Sequence, residues 1–417
     1  MNELMTRREK LFSLMKENSV ALFFSGVSKI ASEDENLPFC INKNFFYLTE
    51  IEQEHSVLMM IKGIGEKRTY LFIDEYNELI EKWTGKRLTP EQAKLISSIE
   101  NIYTYNSFEN MISLALAKEN NQYGAIDTLY LDLFPELKIG SELSTKQYKT
   151  QLEEQYPHIK IEDGYPFLRQ LRMIKSPYEI EKMVKAINMT NNGINALIKN
   201  IKPGLYEYEV ADMFEYYGRL HGRTKLAFNT IVASGINATC LHYPTQNALI
   251  KENDLVLFDL GYRYDQYCAD ISRTYPVNGK FEGIAKDIYT AVLNTNKAVI
   301  EYIKEGMTLK ELNEFTASIL KKECVRLGLM SKDEDLRKYY FHSVSHHLGL
   351  DTHDIGARDM QLQNGNVITV EPGLYFEKHG IGVRIEDDVL IMNGRAEVLS
   401  KDIKKEIADI EKLFAYK

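Results

Sequence analysis

Residues 254–276 read DLVLFDLGYRYDQYCADISRTYP, and the fold of the second half of the chain turns on how they are read. Leu255, Val256, Leu257 and Phe258 form an unbroken apolar run of the kind found in a strand buried on both faces, yet the run ends in a carboxylate, Asp259. A buried Asp needs a partner. With Tyr264-Asp265 as the two-residue turn of a hairpin, opposed residues have numbers summing to 529, so Asp259 faces Asp270 on one side of the sheet. Two carboxylates so close cannot both stay ionised without a cation or a shared proton between them.

Toward the C-terminus, residues 365–391, GNVITVEPGLYFEKHGIGVRIEDDVLI, repeat the arrangement. A turn at Lys378-His379 makes opposed numbers sum to 757 and sets Glu371 opposite Glu386. Between the two hairpins, SHHLGLDTHD (345–354) supplies His346 and His353 as nitrogen donors. Four carboxylates and one imidazole carry too much negative charge for a single zinc ion and suit two hard or borderline divalent ions sharing carboxylates. A dinuclear metal site is expected.

Toward the N-terminus, the same half contains a duplication. Ile201-Lys202-Pro203-Gly204-Leu205 with Glu209-Val210 aligns without gaps on Ile303-Lys304-Glu305-Gly306-Met307 with Glu311-Leu312, 102 residues later. Each copy precedes a carboxylate hairpin, which predicts an α+β domain built from a repeated unit of two helices and sheet strands closed about a pseudo-twofold axis. Ser176-Pro177-Tyr178-Glu179 has the spacing of a capping box with proline at the first helical position. The helix it opens keeps apolar spacing from Ile180 to Ile198 until Lys202-Pro203-Gly204 stops it, and Val210, Met213, Phe214 and Tyr217 form the core stripe of the next. A boundary between Arg169 and Lys175 gives an N-terminal domain of residues 1–172 and a catalytic domain of residues 173–417.

Before that boundary, strand-like runs (Val20–Phe24, Ser56–Ile61, Arg68–Ile73, Leu129–Leu133) alternate with helix-like ones (Asn77–Trp83, Glu91–Ile99), an α/β pattern with no His-carboxylate cluster. Trp83, the only tryptophan, precedes Gly85 and reads equally as a contact point or as the rim of a glycine-capped helix end. A length of 417 residues with 44% hydrophobic content supports two globular domains, and a net charge of −9 argues against a nucleic acid or anionic membrane partner. No apolar run reaches the roughly 18 residues of a membrane span, and Met1 to Glu17 lacks the apolar core of a signal peptide, so a cytoplasmic protein is expected. Cys40, Cys240, Cys268 and Cys324 have no CxxC spacing, and Cys268 reads as a small core residue.

Arg7-Arg8, Asn44-Phe45-Phe46-Tyr47-Leu48-Thr49, Trp83-Thr84-Gly85 and, in order, FDLG (Asp259), ADISRT (Asp270), SHHLG (His346), EPGLY (Glu371) and RIEDD (Glu386) make the chain resemble the aminopeptidase P family over essentially its full length. This is the Xaa-Pro aminopeptidase branch of the pita-bread metallopeptidases. The resemblance implies an α/β N-terminal domain of the creatinase/aminopeptidase P type followed by a pita-bread catalytic domain. It further implies that Asp270 and Glu386 bridge two divalent ions, that Asp259 completes one, and that His346 and Glu371 complete the other. The family metal is usually Mn2+, with Zn2+ or Co2+ as alternatives. His242 in CLHYP, His342 and His353 in DTHD match substrate-site histidines, and Tyr375 and Arg384 match neighbours of the metal centre. Arg384, two residues from Glu386, points into the same cavity. Ser272 stands where relatives commonly have threonine, and keeps the hydroxyl.

The reaction implied is attack of a metal-bridged hydroxide on the bond before proline. Glu371 passes a proton to the leaving nitrogen, while His353 and His242 donate to the carbonyl oxygen. The implied partners are peptides with proline in second position and further copies of the chain, in a homodimer or higher homo-oligomer with Trp83 near a neighbour's active site. The alternatives are an Xaa-Pro dipeptidase (prolidase), which shares every ligand, and a non-catalytic pita-bread binding protein. A creatinase-type enzyme lacks the metal ligands, and a methionine aminopeptidase lacks the first 170 residues. His55, His158, His221, His347 and His379 are read as surface or core residues, Glu209 and Glu311 as solvated helix residues, and Asp387 and Asp388 as capping or flanking a strand end.

Overall fold

The computed structural model describes residues 2–33, 35–118, 123–134, 138–139, 143–222 and 225–415. Two compact units emerge, Met1–Arg172 and Met173–Lys417. In the first, Ser19–Phe24 (β1), Val57–Gly63 (β2), Glu66–Ile73 (β3), Asn101–Thr104 (β4), Thr128–Leu131 (β5) and Lys160–Asp163 (β6) form one mixed sheet in the order β4-β3-β2-β1-β5-β6. The central strands β1 to β3 are antiparallel, and β4, β5 and β6 join in parallel. Val20, Leu22, Val57, Met59 and Phe72 pack on one face against the helices Phe108–Leu116 and Thr145–Gln155. The helix Glu78–Thr84 differs from all this. Asn77 caps it through bonds to Leu79 N and Ile80 N, yet none of its residues is buried, and Trp83 is 86% exposed.

The first helix of the second unit starts where the capping box predicts. Ser176 Oγ accepts from Glu179 N, Glu179 Oε2 accepts from Ser176 N, and Pro177 opens the helix Pro177–Asn200. The duplication is structural: helices Pro177–Asn200 and Glu207–Leu220 in the first half correspond to Gly283–Tyr302 and Leu309–Arg326 in the second. Both linkers turn on a left-handed glycine at φ +88°, Gly204 and Gly306, a conformation a side chain would strain. Glu209 and Glu311 do more than face solvent, because each closes a capping box, on Tyr206 N and Thr308 N respectively.

Strands follow each helix pair. The first half contributes Ile231–Ser234 (β7), Leu255–Leu260 (β8), Arg263–Tyr264 (β9), Tyr267–Cys268 (β10) and Ile271–Pro276 (β11); the second contributes Val367–Val370 (β12), Gly373–Phe376 (β13), Ile381–Arg384 (β14), Asp387–Met392 (β15) and Arg395–Val398 (β16). They assemble as sheets β11-β8-β7 and β12-β15-β16 with ribbons β9-β10 and β13-β14. Ile187, Ile194, Leu197 and Phe214 of the helices bury against Val256, Phe258, Leu260 and Ile271. Strand β8 is therefore buried as its apolar run predicts, and Cys268 is a fully buried core residue. Among the described residues no helix is long and apolar enough to cross a membrane.

One register differs from expectation. Leu260 pairs with Ile271 and Asp259 with Ser272, so opposed numbers sum to 531, and the turn falls at Asp265-Gln266. Both turn residues have positive φ, 45° and 69°, as a tight hairpin turn of the I′ kind requires, and Asp takes up that conformation more readily than Tyr264. A slip of two keeps the parity of the faces, so Asp259 and Asp270 still serve one side. The second hairpin has the predicted register: Gly373 pairs with Arg384 and Leu374 with Val383, summing to 757, and Ile385 N donating to Pro372 O carries the pairing toward Glu371 and Glu386.

Candidate metal centre

The two hairpins and the segment between them deliver their polar side chains to one place. Oxygen or nitrogen atoms of Asp270, His346 and Glu386 lie within 4.8 Å of one another. His346 Nε2 is 3.3 Å from Asp270 Oδ2 and 3.6 Å from Glu371 Oε1, which brings the fourth predicted residue in. His346 Nδ1 is 3.0 Å from the carbonyl oxygen of His347. A carbonyl only accepts, so Nδ1 carries the proton and the lone pair of Nε2 faces the carboxylates. Asp259 joins through Arg384, whose Nη2 donates to Asp259 Oδ2 at 2.6 Å, while the second oxygen, Oδ1, is buried with no hydrogen-bond partner.

Arg384 is 1% exposed and ties the hairpins together. Its Nε donates to Ser272 Oγ at 2.7 Å, and that hydroxyl donates to Glu386 Oε2 at 2.7 Å. Its Nη1 donates to the Tyr375 hydroxyl at 3.0 Å. His342 Nδ1 donates to Ser343 O, so Nε2 accepts from the Tyr375 hydroxyl at 2.9 Å. Burial, and then the charge of Arg384, hold the His342 imidazole down at about 4, and it is neutral near pH 7.

The charge balance of the site fits a cation. Burial, and then the neighbouring carboxylates, push Asp270 and Glu386 well above the ordinary range, and burial with Glu386 pushes Glu371 up to about 8. This is the signature of acidic groups gathered for a cation: ionised together they repel, and a divalent ion offsets that repulsion. The unpartnered Asp259 oxygen and the oriented Nε2 of His346 supply donors of the right chemistry, so the residues fit divalent ions held by oxygen and imidazole.

His353 and His242 are exposed, and His242 lies close enough to act electrostatically on both His342 and His353. The His353 ring centroid lies 4.2 Å from that of His346, and although the residue is exposed, partial desolvation of the ring, then the charges of His346 and His242, hold its imidazole down at about 4. Trp83 belongs to the other unit. Four further residues carry no functional reading from sequence. Glu207 is fully buried and accepts from Ser234 N, Ser234 Oγ, Asn237 Nδ2 and Ala248 N, bracketing the segment that carries His242. Arg273 is fully buried and donates to the carbonyls of Ser272, Glu386 and Ile403 and to Asp387 Oδ1. Asp387 and Asp388 do stand at a strand end, as the first two residues of β15, but both are fully buried rather than solvated, and Asp388 accepts from Asp270 N. An arginine in the strand ISRTYP, which pairs with the apolar run of β8, was the available signal, since a buried guanidinium demands partners.

Comparison with known proteins agrees with this geometry. Residues 181–393 match the metallopeptidase family M24, and residues 4–123 match the aminopeptidase P N-terminal domain. The Xaa-Pro aminopeptidase of Haemophilus influenzae is 33% identical over 430 residues, covering 98% of this chain and 96% of that protein. A solved structure described as a putative aminopeptidase P from Bacillus anthracis has a TM-score of 0.94 at 41% identity, covering 99% of this chain and 98% of the other. Aminopeptidase P from E. coli with the inhibitor Pro-Leu has a TM-score of 0.89 at 28% identity, covering 99% and 98%. The fold is therefore the expected one, an aminopeptidase P-type α/β domain followed by a pita-bread domain, and the chain belongs to metallopeptidase family M24.

Proposed function

We propose that the protein is a two-metal Xaa-Pro aminopeptidase, releasing the N-terminal residue from peptides with proline in second position. The observation that carries the reading is the cluster of Asp270, His346 and Glu386 atoms within 4.8 Å, with Glu371 at 3.6 Å from His346 and Asp259 tied in through Arg384. Asp259, Asp270, His346, Glu371 and Glu386 would hold two divalent ions, for which Mn2+ is our assignment. Such a pair lowers the pKa of a shared water from about 15.7 toward neutrality and so supplies a nucleophile at physiological pH.

The chain's own groups do the rest. Glu371, with a pKa pushed upward, is suited to take the proton of the attacking water and hand it to the prolyl nitrogen, a poor leaving group until protonated. His353, neutral at pH 7, and His242 donate to the substrate carbonyl oxygen, a role whose loss typically costs about 10² to 10³ in rate. Arg384 and Tyr375 hold Asp259, Ser272 and His342 in place. Proline at the second position removes the N–H of the scissile bond and fixes φ, and a site fitted to that ring accepts other residues poorly.

Comparing turnover of an Xaa-Pro dipeptide with that of Xaa-Pro-Yaa-Zaa tests the reading. We expect the tetrapeptide to be cleaved at its first bond. Cleavage of the dipeptide alone would replace the assignment with the prolidase one. The engagement of Arg384 by Asp259, Ser272 and Tyr375 supports the aminopeptidase, because a prolidase needs a cation to receive the substrate's free carboxylate.

A cytoplasmic homo-oligomer, at its simplest a dimer, is part of the same proposal. Leu79, Ile80 and Trp83 stand exposed on a helix with no buried residue, a surface suited to cover by a second copy. Light scattering should then give at least twice the chain mass at micromolar concentration, and Trp83→Ala should lower activity at low enzyme concentration. A monomer whose specific activity is independent of dilution would contradict this.

A further inference from the structure

We propose that the buried Lys175–Asp354 ion pair is a positioning device that sets the loop 346–354 and, through it, the ring of His346 and the place of His353. The inference rests on the reading of His346 as a metal ligand. The loop has little regular structure of its own: His347 makes an isolated bridge with Ile368, and Leu348 N donates to Val367 O. Its conformation must come from elsewhere. Lys175 Nζ donates to Asp354 Oδ2 at 3.0 Å, and both side chains are 1% exposed.

The pair is anchored at both ends. Lys175 N donates to Gly365 O at 2.8 Å, and Asn366 Nδ2 donates to Met173 O at 2.8 Å, which fixes the segment before the first helix of the unit. Asp354 N donates to His347 O at 2.8 Å. That carbonyl is also the acceptor for His346 Nδ1, so one oxygen joins Asp354 to the group that sets the His346 tautomer and leaves Nε2 free for a cation. The pair packs onto bare backbone: a Cβ at Gly349 would lie 2.2 Å from Asp354 Oδ2 and 2.9 Å from Lys175 Cε. His353, one residue from Asp354, is carried by the same anchor.

For stability alone, an apolar pair of similar volume would serve as well, since desolvating two charges offsets much of their attraction. What the charged pair adds is direction. A lysine donor on one fixed segment and a carboxylate on the loop admit one arrangement, and groups that orient a metal-ligating histidine typically change metal affinity or activity 10- to 100-fold when lost.

The test compares wild-type protein, Lys175→Met and Asp354→Asn by Mn2+ titration calorimetry, by kcat and KM on an Xaa-Pro-Yaa peptide at saturating Mn2+, and by melting temperature. We expect Lys175→Met to bind Mn2+ about 10- to 100-fold more weakly and to keep a reduced kcat at saturating metal with KM less affected, because His353 acts on the transition state. Should Lys175→Met not fold, Asp354→Asn keeps the shape of the carboxylate and carries the test, with an expected loss of about tenfold in Mn2+ affinity. A folded variant with wild-type Mn2+ affinity and kcat overturns the inference. So does a lowered melting temperature with both unmoved, which would make the pair merely structural. Wild-type protein that takes up no Mn2+ overturns the metal reading and this inference with it.

Discussion

Replacing Glu371 by glutamine should lower kcat on Xaa-Pro-Yaa peptides by more than about 10³ while leaving the protein folded, because it removes both a proton acceptor and a donor to the metal site. The fold should survive because the carboxylate is not a stabilising group without metal. Burial first, and then Glu386, push its pKa from 4.5 to about 8. A carboxyl whose folded pKa lies above its unfolded value contributes its stability below the unfolded pKa and loses it as pH rises through the folded one. Metal-stripped wild-type protein should therefore melt at lower temperature as pH rises from 4.5 through 8, and Glu371→Gln should flatten that slope. Retained activity, or identical slopes for the two stripped proteins, would contradict the role given to Glu371.

The second large effect is on stability. Asp387 is fully buried; burial alone would raise its pKa, but Arg273 and Lys405 and the hydroxyl of Ser400 bring it down to about 2. Its contribution is present above pH 3.8 and disappears as pH falls through about 2. Asp387→Asn leaves Arg273 inside the protein without its counter-charge, and breaking a buried pair this way costs about 3–5 kcal/mol. For a unit of this size that is a fall in melting temperature of roughly 6–20 °C. The loss should shrink toward pH 2, where the wild-type carboxyl is itself protonated. Because Arg273 also donates to the carbonyls of Ser272 and Glu386, metal affinity should fall together with stability. A change below about 1 kcal/mol at pH 7 would show that the network has no such role.

The features legible in the sequence are those fixed by local chemistry. The β13–β14 register was legible because a centred turn and apolar alternation leave one pairing that puts Glu371 and Glu386 on the core face. The β8–β11 register was displaced by two because the turn chemistry favoured Asp265-Gln266, and only the parity of the faces survived. Strands β4 and β6 escaped notice because they are short and half-exposed at the sheet edges, with no apolar run to mark them. Long-range partners were the least legible. Lys175 and Asp354 are 179 positions apart, Arg273 and Asp387 are 114 apart, and no periodicity links such residues, although each is a buried charge that had to be paired.

If the chain holds two divalent ions and uses them to cut before proline, the ions should be countable and their removal should abolish turnover. Metal analysis of purified protein, paired with turnover of Xaa-Pro-Yaa-Zaa before and after exhaustive chelation and after Mn2+ is restored, tests it most directly. Two ions per chain, loss of activity on chelation and its recovery with Mn2+ are expected. Active protein without metal, or full activity after chelation, would contradict this reading.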